Sequence, residues 1–375
     1  MAQHPRILAT AAAYPAYSIP QRTVCDWICE RTFGPTWSSD PQFAERRRRL
    51  QRLFAASGVE RRQSAVDFLE YYQRPRTTGE RMADYRREAY PLACAALDAA
   101  LADLARQVDA TPAAIAASIR DLLVVSCTGY HAPGLDILLA RDRGMPRDVR
   151  RVVIGHMGCY GGLVGMRQAL AALRAHPGGT VALVCVELCS LHFTPSLDSE
   201  SLTGYALFGD AAASALLTNT DDARAGSAEA SGAEIVDVYC ATEFDSIEQM
   251  SWTVTDTGFV MGLSPRVPVT LRRAVRGAVE RLLAPHGLRP VDVTHWMVHP
   301  GGPSILEVVQ AKLELSDEQM APSRRVLREH GNCSSPTILM ILDDVIRSRT
   351  TRPGEWGVMM AFGPGLTLEL CLVRF

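Results

Sequence analysis

Lysine is almost missing from this chain. Lys312 is the only one among 39 basic residues, and the rest are arginines. That bias reads first as genomic base composition and carries no functional message. A charge excess is missing too, with 39 basic against 41 acidic residues, so no net field draws the chain to nucleic acid or to an anionic membrane surface. No window of about 18 uncharged apolar residues occurs, and residues 1–20 show no basic segment followed by a sustained apolar run. No membrane span is therefore expected, and the cytoplasm is the expected location. There is no C-x-x-C pair. The ten cysteines sit largely in apolar contexts, as Cys185 and Cys371 do, and are expected to be reduced thiols. Cys25 and Cys29, like Cys185 and Cys189, lie four apart but have no His or second Cys pair at zinc spacing, so no metal site is expected. Gly161 and Gly162 lack the G-x-G-x-x-G setting after a strand, which argues against a nicotinamide cofactor.

What is present is ordinary globular material: 375 residues, 47% hydrophobic and 21% charged, enough for one extensive core or two fused halves. Short apolar runs recur at 7–12, 122–127, 152–155, 181–188, 212–217, 235–239, 296–299 and 356–362. Between several of them lie stretches, at 90–106, 163–175 and 269–283, whose apolar residues return every three or four positions. Such alternation predicts α/β layering. Small polar residues over 218–233 predict a surface connection between two portions. At the C-terminus, Gly363-Pro364-Gly365 between 356–362 and 366–375 predicts a hairpin. Residues 41–62 gather Arg46, Arg47, Arg48, Arg49, Arg52, Arg61 and Arg62 on an expected helix, either as a solvated face or as a landing site for a polyanion such as the phosphates of coenzyme A.

Three short motifs carry candidate chemistry. In Gly155-His156-Met157-Gly158-Cys159-Tyr160-Gly161-Gly162 an apolar strand runs through small residues into a helix near Leu163. This places Cys159 at a helix N-terminus, where free N–H groups and the dipole favour a thiolate. Taken alone, it is equally a buried, inert cysteine. In Trp296-Met297-Val298-His299-Pro300-Gly301-Gly302 a strand ends in a histidine able to face a cleft, pair with a thiolate and donate to a carbonyl, or to rest at the core edge satisfied by backbone. In His330-Gly331-Asn332-Cys333-Ser334-Ser335, the asparagine precedes an apolar helix and reads first as an N-cap.

Cys159, His299 and Asn332 together, with Val298-His299-Pro300-Gly301-Gly302, Ala361-Phe362-Gly363-Pro364-Gly365 and Ala206-Leu207-Phe208-Gly209-Asp210, make the chain resemble the type III polyketide synthases. These are the chalcone synthase-like branch of the thiolase fold. The resemblance runs from about Leu53 to the C-terminus. It implies a thiolase-like fold of two pseudo-repeated α/β halves in α-β-α-β-α layers, residues 1–225 carrying the nucleophile and 226–375 the histidine and asparagine. It implies that Cys159 accepts the acyl group while His299 and Asn332 keep the thiolate ionised and bind the thioester carbonyl as malonyl-CoA decarboxylates and condenses. Coenzyme A thioesters would be the substrates, no bound cofactor would be needed, and the chain would form a homodimer.

The resemblance also implies roles for further residues. Phe208 looks like the gatekeeping aromatic between the CoA tunnel and the cavity, with Met261 at the second gatekeeping position. Cys127, Thr128, Ala132, Cys189, His192 and Ser334 look like cavity-lining positions. Because Thr128, Ala132 and Cys189 are small and Met261 is flexible, a long aliphatic starter is expected, extended by two or three malonyl units to an alkylpyrone or alkylresorcinol. Arg49 and Arg52 align with CoA-phosphate positions. Glu187 and Ser334 match a network that promotes aldol closure in some relatives, but its third position is Cys127, a weak donor, which tilts the expectation towards a pyrone. The rival readings are a condensing enzyme of the same fold fed by an acyl carrier protein, a papain-like hydrolase, and a non-catalytic protein that binds through its arginines.

Overall fold

The computed structural model describes residues 3–193, 199–221 and 232–375. A thirty-residue helix, Thr78–Gln107, begins at a capping box in which Thr77 and Glu80 satisfy each other's backbone N–H groups. Its inner face is built from Ala89, Ala93, Ala96, Leu97, Ala100 and Leu104, all buried. The small side chains let it lie close against the strands Gln3–Ala13, Asp210–Asp221 and Thr180–Leu188.

Among the described residues those strands belong to one nine-stranded sheet made of two half-sheets. The first half runs Gln3–Ala13, Asp210–Asp221, Thr180–Leu188, Ile119–Ser126, Arg150–Gly155 in space. The second runs Ala233–Thr242, Thr367–Arg374, Trp356–Gly363, His295–Val298. Among the described residues two pairs splice them, Arg6 with Glu234 and Ile7 with Ala233. Three separate cores fill the spaces: one beneath Thr78–Gln107, one around the helices Gly161–Ala175 and Thr337–Arg347, and one under Val267–Leu283 and Pro303–Leu313. The middle core takes side chains from both half-sheets, among them Leu183, Ala213, Met359 and Cys371. Helices, half-sheet, helices, half-sheet, helices: this is the five-layer order that the resemblance implies, with the sheets joined edge to edge by the short splice.

Each of the eight apolar runs falls on a strand, most strands being longer than the run, while Cys127 and His299 lie one residue past their strand ends. Asp210–Asp221 extends four residues into the stretch read as a connection, and residues 222–231 of that stretch lie outside the described residues. The C-terminal hairpin is present, Trp356–Gly363 pairing antiparallel with Thr367–Arg374. The arginine-rich segment is not one helix: Ala44–Ala55 is helical, whereas Arg61 and Arg62 lie on the short strand Arg61–Ser64. Arg62 points inward and is 2% exposed, so it is no part of a solvated face.

Ile119–Ser126, Arg150–Gly155 and Thr180–Leu188 are parallel. Their carboxyl ends therefore emerge on one edge, delivering Cys127, the Cys159 loop and Cys189 together, as open α/β sheets generally deliver ligand sites. In the second half His295–Val298 and Trp356–Gly363 are parallel as well, and His299 follows at once.

Candidate active site

Cys159 occupies a single tight turn, Gly158–Tyr160, that runs into the helix Gly161–Ala175. That helix begins pressed against the segment after Asn332. A Cβ at Gly162 would lie 2.5 Å from the Ser335 carbonyl oxygen, so only glycine permits the approach. The approach brings Asn332 to the thiol, with its Nδ2 3.7 Å from the Cys159 Sγ. The Ser334 N–H donates to the Asn332 Oδ1 at 2.8 Å, which orients the amide with its NH₂ group available to the thiol. Asn332 is not an N-cap. The helix Thr337–Arg347 starts five residues later, with Pro336 at its cap position and no side-chain capping bond.

His299 is 0% exposed. Its backbone N–H donates to the Met360 carbonyl, yet neither ring nitrogen has a partner among the described residues. A buried imidazole with two free nitrogens is costly, and such a group calls for a functional explanation. Burial lowers its pKa to about 3, so the resting ring is neutral, one nitrogen a donor and the other an acceptor. Burial also raises the Cys159 thiol to about 11, although hydrogen bonding from Asn332 and Ser334 acts the other way. The helix N-terminus does not prevail here as the sequence suggested, because desolvation of a buried anion outweighs it. Cys159 in the free protein is a thiol at neutral pH, and its ionisation requires a proton acceptor.

Two clefts meet at this point. The inner one, of about 690 Å³ including its mouth, is lined by Cys127, Thr128, Cys189, His192, Trp252 and Phe259 among others. The outer one, about 1180 Å³, runs past Leu53, Ala56, Ser57, Pro265, Gly302 and Asn332. Cys159, Phe208, Met250 and Met261 line both. Phe208 and Met261 thus lie where the two clefts meet, beside the thiol.

Other expected residues fall differently. Ser334 lines the inner cleft, but Ala132 is exposed and does not, because the chain turns outward after Thr128 towards the surface. Arg49 and Arg52 are exposed on the helix Ala44–Ala55, one turn from Leu53 and Ala56 at the mouth of the outer cleft, and Arg52 lies 3.4 Å from Glu45. Glu187 is fully buried and accepts hydrogen bonds from the Cys127 N–H at 2.9 Å, the Thr128 hydroxyl at 2.7 Å and the Ser335 hydroxyl at 2.6 Å. Desolvation raises its pKa. Cys127 lies between Glu187 and Ser334, its sulfur 3.6 Å from the Ser334 hydroxyl. Among the described residues no group of three or more His, Cys, Asp and Glu side chains is placed to hold a metal ion.

The sequence reading missed the hairpin Met250–Thr255 and Gly258–Leu263, which carries Met250, Trp252 and Phe259 into the clefts. The alternation of Ser251-Trp252-Thr253-Val254-Thr255 before Asp256-Thr257-Gly258 was the available signal. His192 holds this hairpin down. Its Nε2–H donates to the Thr128 carbonyl at 2.7 Å, its Nδ1 accepts the Phe259 N–H at 3.1 Å, and its ring stacks on Phe259 at 4.3 Å. The Trp252 indole donates to the Cys127 carbonyl at 2.7 Å and closes one side of the cavity.

The family description "Chalcone and stilbene synthases, N-terminal domain" matches residues 2–221, and the C-terminal domain of the same family matches residues 242–375. The chain belongs to the chalcone and stilbene synthase family. It is a type III polyketide synthase, an acyltransferase that condenses malonyl-CoA. The 1,3,6,8-tetrahydroxynaphthalene synthase of Streptomyces peucetius subsp. caesius is 34% identical to this synthase over 98% of the present chain and 93% of its own length. A 3,5-dihydroxyphenylacetyl-CoA synthase from Streptomyces toyocaensis is 30% identical over 99% and 90%. Among solved structures, PKS-I of the brown alga Ectocarpus siliculosus superposes with a TM-score of 0.89 at 26% identity, over 100% of this chain and 99% of the other. The tetrahydroxynaphthalene synthase of Streptomyces coelicolor A3(2) gives 0.87 at 26%, over 99% of each. With these relatives the polyketide synthase shares its thiolase fold.

Proposed function

We propose that this synthase loads a short acyl group, malonyl itself in the simplest case, onto Cys159 and extends it with malonyl-CoA to a chain that closes into a polyhydroxylated aromatic product. The observation that carries this reading is the meeting of two clefts, the inner one walled by aromatic side chains, at one buried thiol. His299 takes the Cys159 proton as sulfur attacks the starter thioester, and the coenzyme A thiolate leaves and takes up a proton. Malonyl-CoA then enters the outer cleft and loses carbon dioxide. Its enolate oxygen is held by the Asn332 amide and the His299 N–H, donors fixed in a water-poor site. The enolate carbon attacks the Cys159 thioester, forming the carbon–carbon bond and freeing the sulfur.

A short starter is supported by Trp252, Phe259 and His192, which fill the space beside Thr128 and Cys189, and by the exposure of Ala132, which was to have opened a tunnel. The names of the two bacterial relatives, a tetrahydroxynaphthalene synthase and a dihydroxyphenylacetyl-CoA synthase, point to hydroxylated aromatic products in the same direction. Thr128, Cys189 and Met261 remain the observations in favour of an aliphatic starter and an alkylpyrone or alkylresorcinol. Mass spectrometry of products from acyl-CoAs of graded length decides between them. Wild type should use malonyl and short acyl groups, and Trp252→Gly should raise kcat/KM for a long-chain acyl-CoA about tenfold, as removal of a steric wall does. Efficient turnover of long chains by wild type would overturn the short-starter reading.

Arg49 and Arg52 are proposed to hold the phosphates of coenzyme A at the outer mouth. Arg52→Ala should raise KM for malonyl-CoA about two- to fivefold, the size of one exposed charge contact, while leaving kcat and Cys159 alkylation unchanged. An unchanged KM would remove Arg52 from the site. The edge strand Arg150–Gly155 exposes Val152 and Val153, the latter 54% exposed, and we assign this edge to a homodimer contact. No helix among the described residues is long and apolar enough to cross a membrane, and the enzyme is proposed to work in the cytoplasm.

A further inference from the structure

The nine-residue helix Ser199–Leu207 ends at the gate, and the way its end is held is unusual. A helix leaves its last carbonyls without partners, and water or a glycine cap generally satisfies them. Here Arg62 donates to the carbonyls of Tyr205, Ala206 at 3.0 Å and Phe208 at 2.8 Å. The remaining carbonyl in this run, Leu207, accepts the Asn332 N–H at 2.8 Å, and the Gly209 N–H donates back to the Asn332 carbonyl at 3.0 Å. Side chains are excluded from the seam: a Cβ at Gly209 would lie 2.4 Å from the His330 carbonyl, and one at Gly331 2.5 Å from the Leu207 carbonyl.

Arg62 is buried, and its hydrogen-bond partners among the described residues are carbonyls and the Gln21 amide oxygen rather than a carboxylate, with Asp210 near enough to favour its charge. Burial lowers its pKa to about 10, which leaves it charged at neutral pH, and a cation at a helix C-terminus is favoured by the dipole. Its remaining partner is Gln21, whose Oε1 accepts from the guanidinium. The Gln21 amide in turn donates to the Ala206 carbonyl at 2.8 Å and the Ser57 hydroxyl at 2.7 Å, and the Ser57 hydroxyl donates to the Phe54 carbonyl at 2.7 Å. Ser57 lines the outer cleft. One buried polar node therefore joins the wall of the access cleft, the gate residue Phe208 and the backbone of Asn332.

We propose that Arg62 and Gln21 are positioning residues that hold Phe208 and Asn332 in register with the outer cleft, so that decarboxylation of malonyl-CoA stays coupled to carbon–carbon bond formation. The inference rests on the role proposed for Asn332. Neither side chain reaches the thiol or lines either cleft, so both act through the segment 205–209. Buried polar networks of this kind lose their geometry when one member goes, because the freed carbonyls have no water to turn to.

The test compares Arg62→Lys and Gln21→Met with wild type and with Asn332→Ala. Starter loading is followed as acyl-enzyme mass on Cys159, and carbon dioxide release is measured against polyketide formed. The expected result for the folded variants is loading within about twofold of wild type, kcat for condensation down about tenfold, and an increased ratio of carbon dioxide to product. Arg62→Lys, which keeps the charge and part of the carbonyl contacts, should be the milder variant beside Arg62→Gln. An unchanged ratio in both folded variants overturns the inference, as does failure of both to fold, which assigns the node to stability alone. If Asn332→Ala also leaves the ratio and the rate unchanged, the underlying reading of the site has failed instead.

Discussion

A Cys159→Ala variant is expected to lose polyketide formation by on the order of 10⁴-fold or more, as removal of a covalent nucleophile does, while keeping the fold and a measurable decarboxylation of malonyl-CoA. The nine other cysteines cannot substitute for it. Cys127 and Cys189 share its cavity, but burial raises both thiols well above their ordinary value and neither touches Asn332. The check is mass spectrometry of the protein after incubation with a starter acyl-CoA, in which the acyl adduct should map to Cys159 in wild type and be absent from the variant. Because burial pushes the Cys159 thiol up to about 11, the thiolate fraction rises as pH rises towards that value. Iodoacetamide labelling of Cys159 in the free enzyme should therefore accelerate steadily between about pH 7 and 10. A plateau near neutrality would mean that a thiolate–imidazolium pair forms despite the desolvation of both groups. Acyl transfer that survives in Cys159→Ala would dismiss this cysteine as the nucleophile.

The second large effect concerns His299. His299→Gln retains an N–H donor of similar reach but cannot accept a proton at neutral pH. Loading of Cys159 should fall by about 10²- to 10⁴-fold, the usual worth of a general base, whereas decarboxylation of malonyl-CoA on a pre-loaded enzyme should fall much less, since there the side chain only donates. His299→Ala should lower both. The measurement is single-turnover acylation by quenched mass spectrometry beside a carbon dioxide assay. Equal losses in the two half-reactions with His299→Gln would deny the histidine its role as proton acceptor. Burial keeps the resting imidazole neutral, with one ring nitrogen carrying a lone pair, but the same desolvation opposes its protonation, so proton transfer from Cys159 has to be coupled to attack on the thioester.

The local parts of this picture were legible in the sequence. The run 181–186 is apolar at every position, which marks a strand buried on both faces, and Thr180–Leu188 is that strand. The three- and four-residue spacing at 269–283 marks a helix, and Val267–Leu283 is that helix. Where the reading failed, long-range contact decided. Arg62 looks like its neighbours in a basic run, yet it folds inward to carbonyls more than 140 residues away. Asn332 has the local signature of a cap, and its amide instead faces a thiol 173 residues distant. Ala132 follows a strand end like Thr128, but nothing local says that the chain has already left the cavity.

By itself the sequence determined the residue types, their place at strand ends and the layered class of fold, since hydrophobic periodicity and glycine placement are properties of short segments. Only the tertiary structure decided that Cys159 is buried against Asn332, that Trp252 and His192 line the inner cleft, and that the gate and Asn332 share one support. The physical reason is common to all three. Desolvation, cavity shape and the satisfaction of buried carbonyls depend on which distant segments exclude water from a site, and no local pattern carries that information.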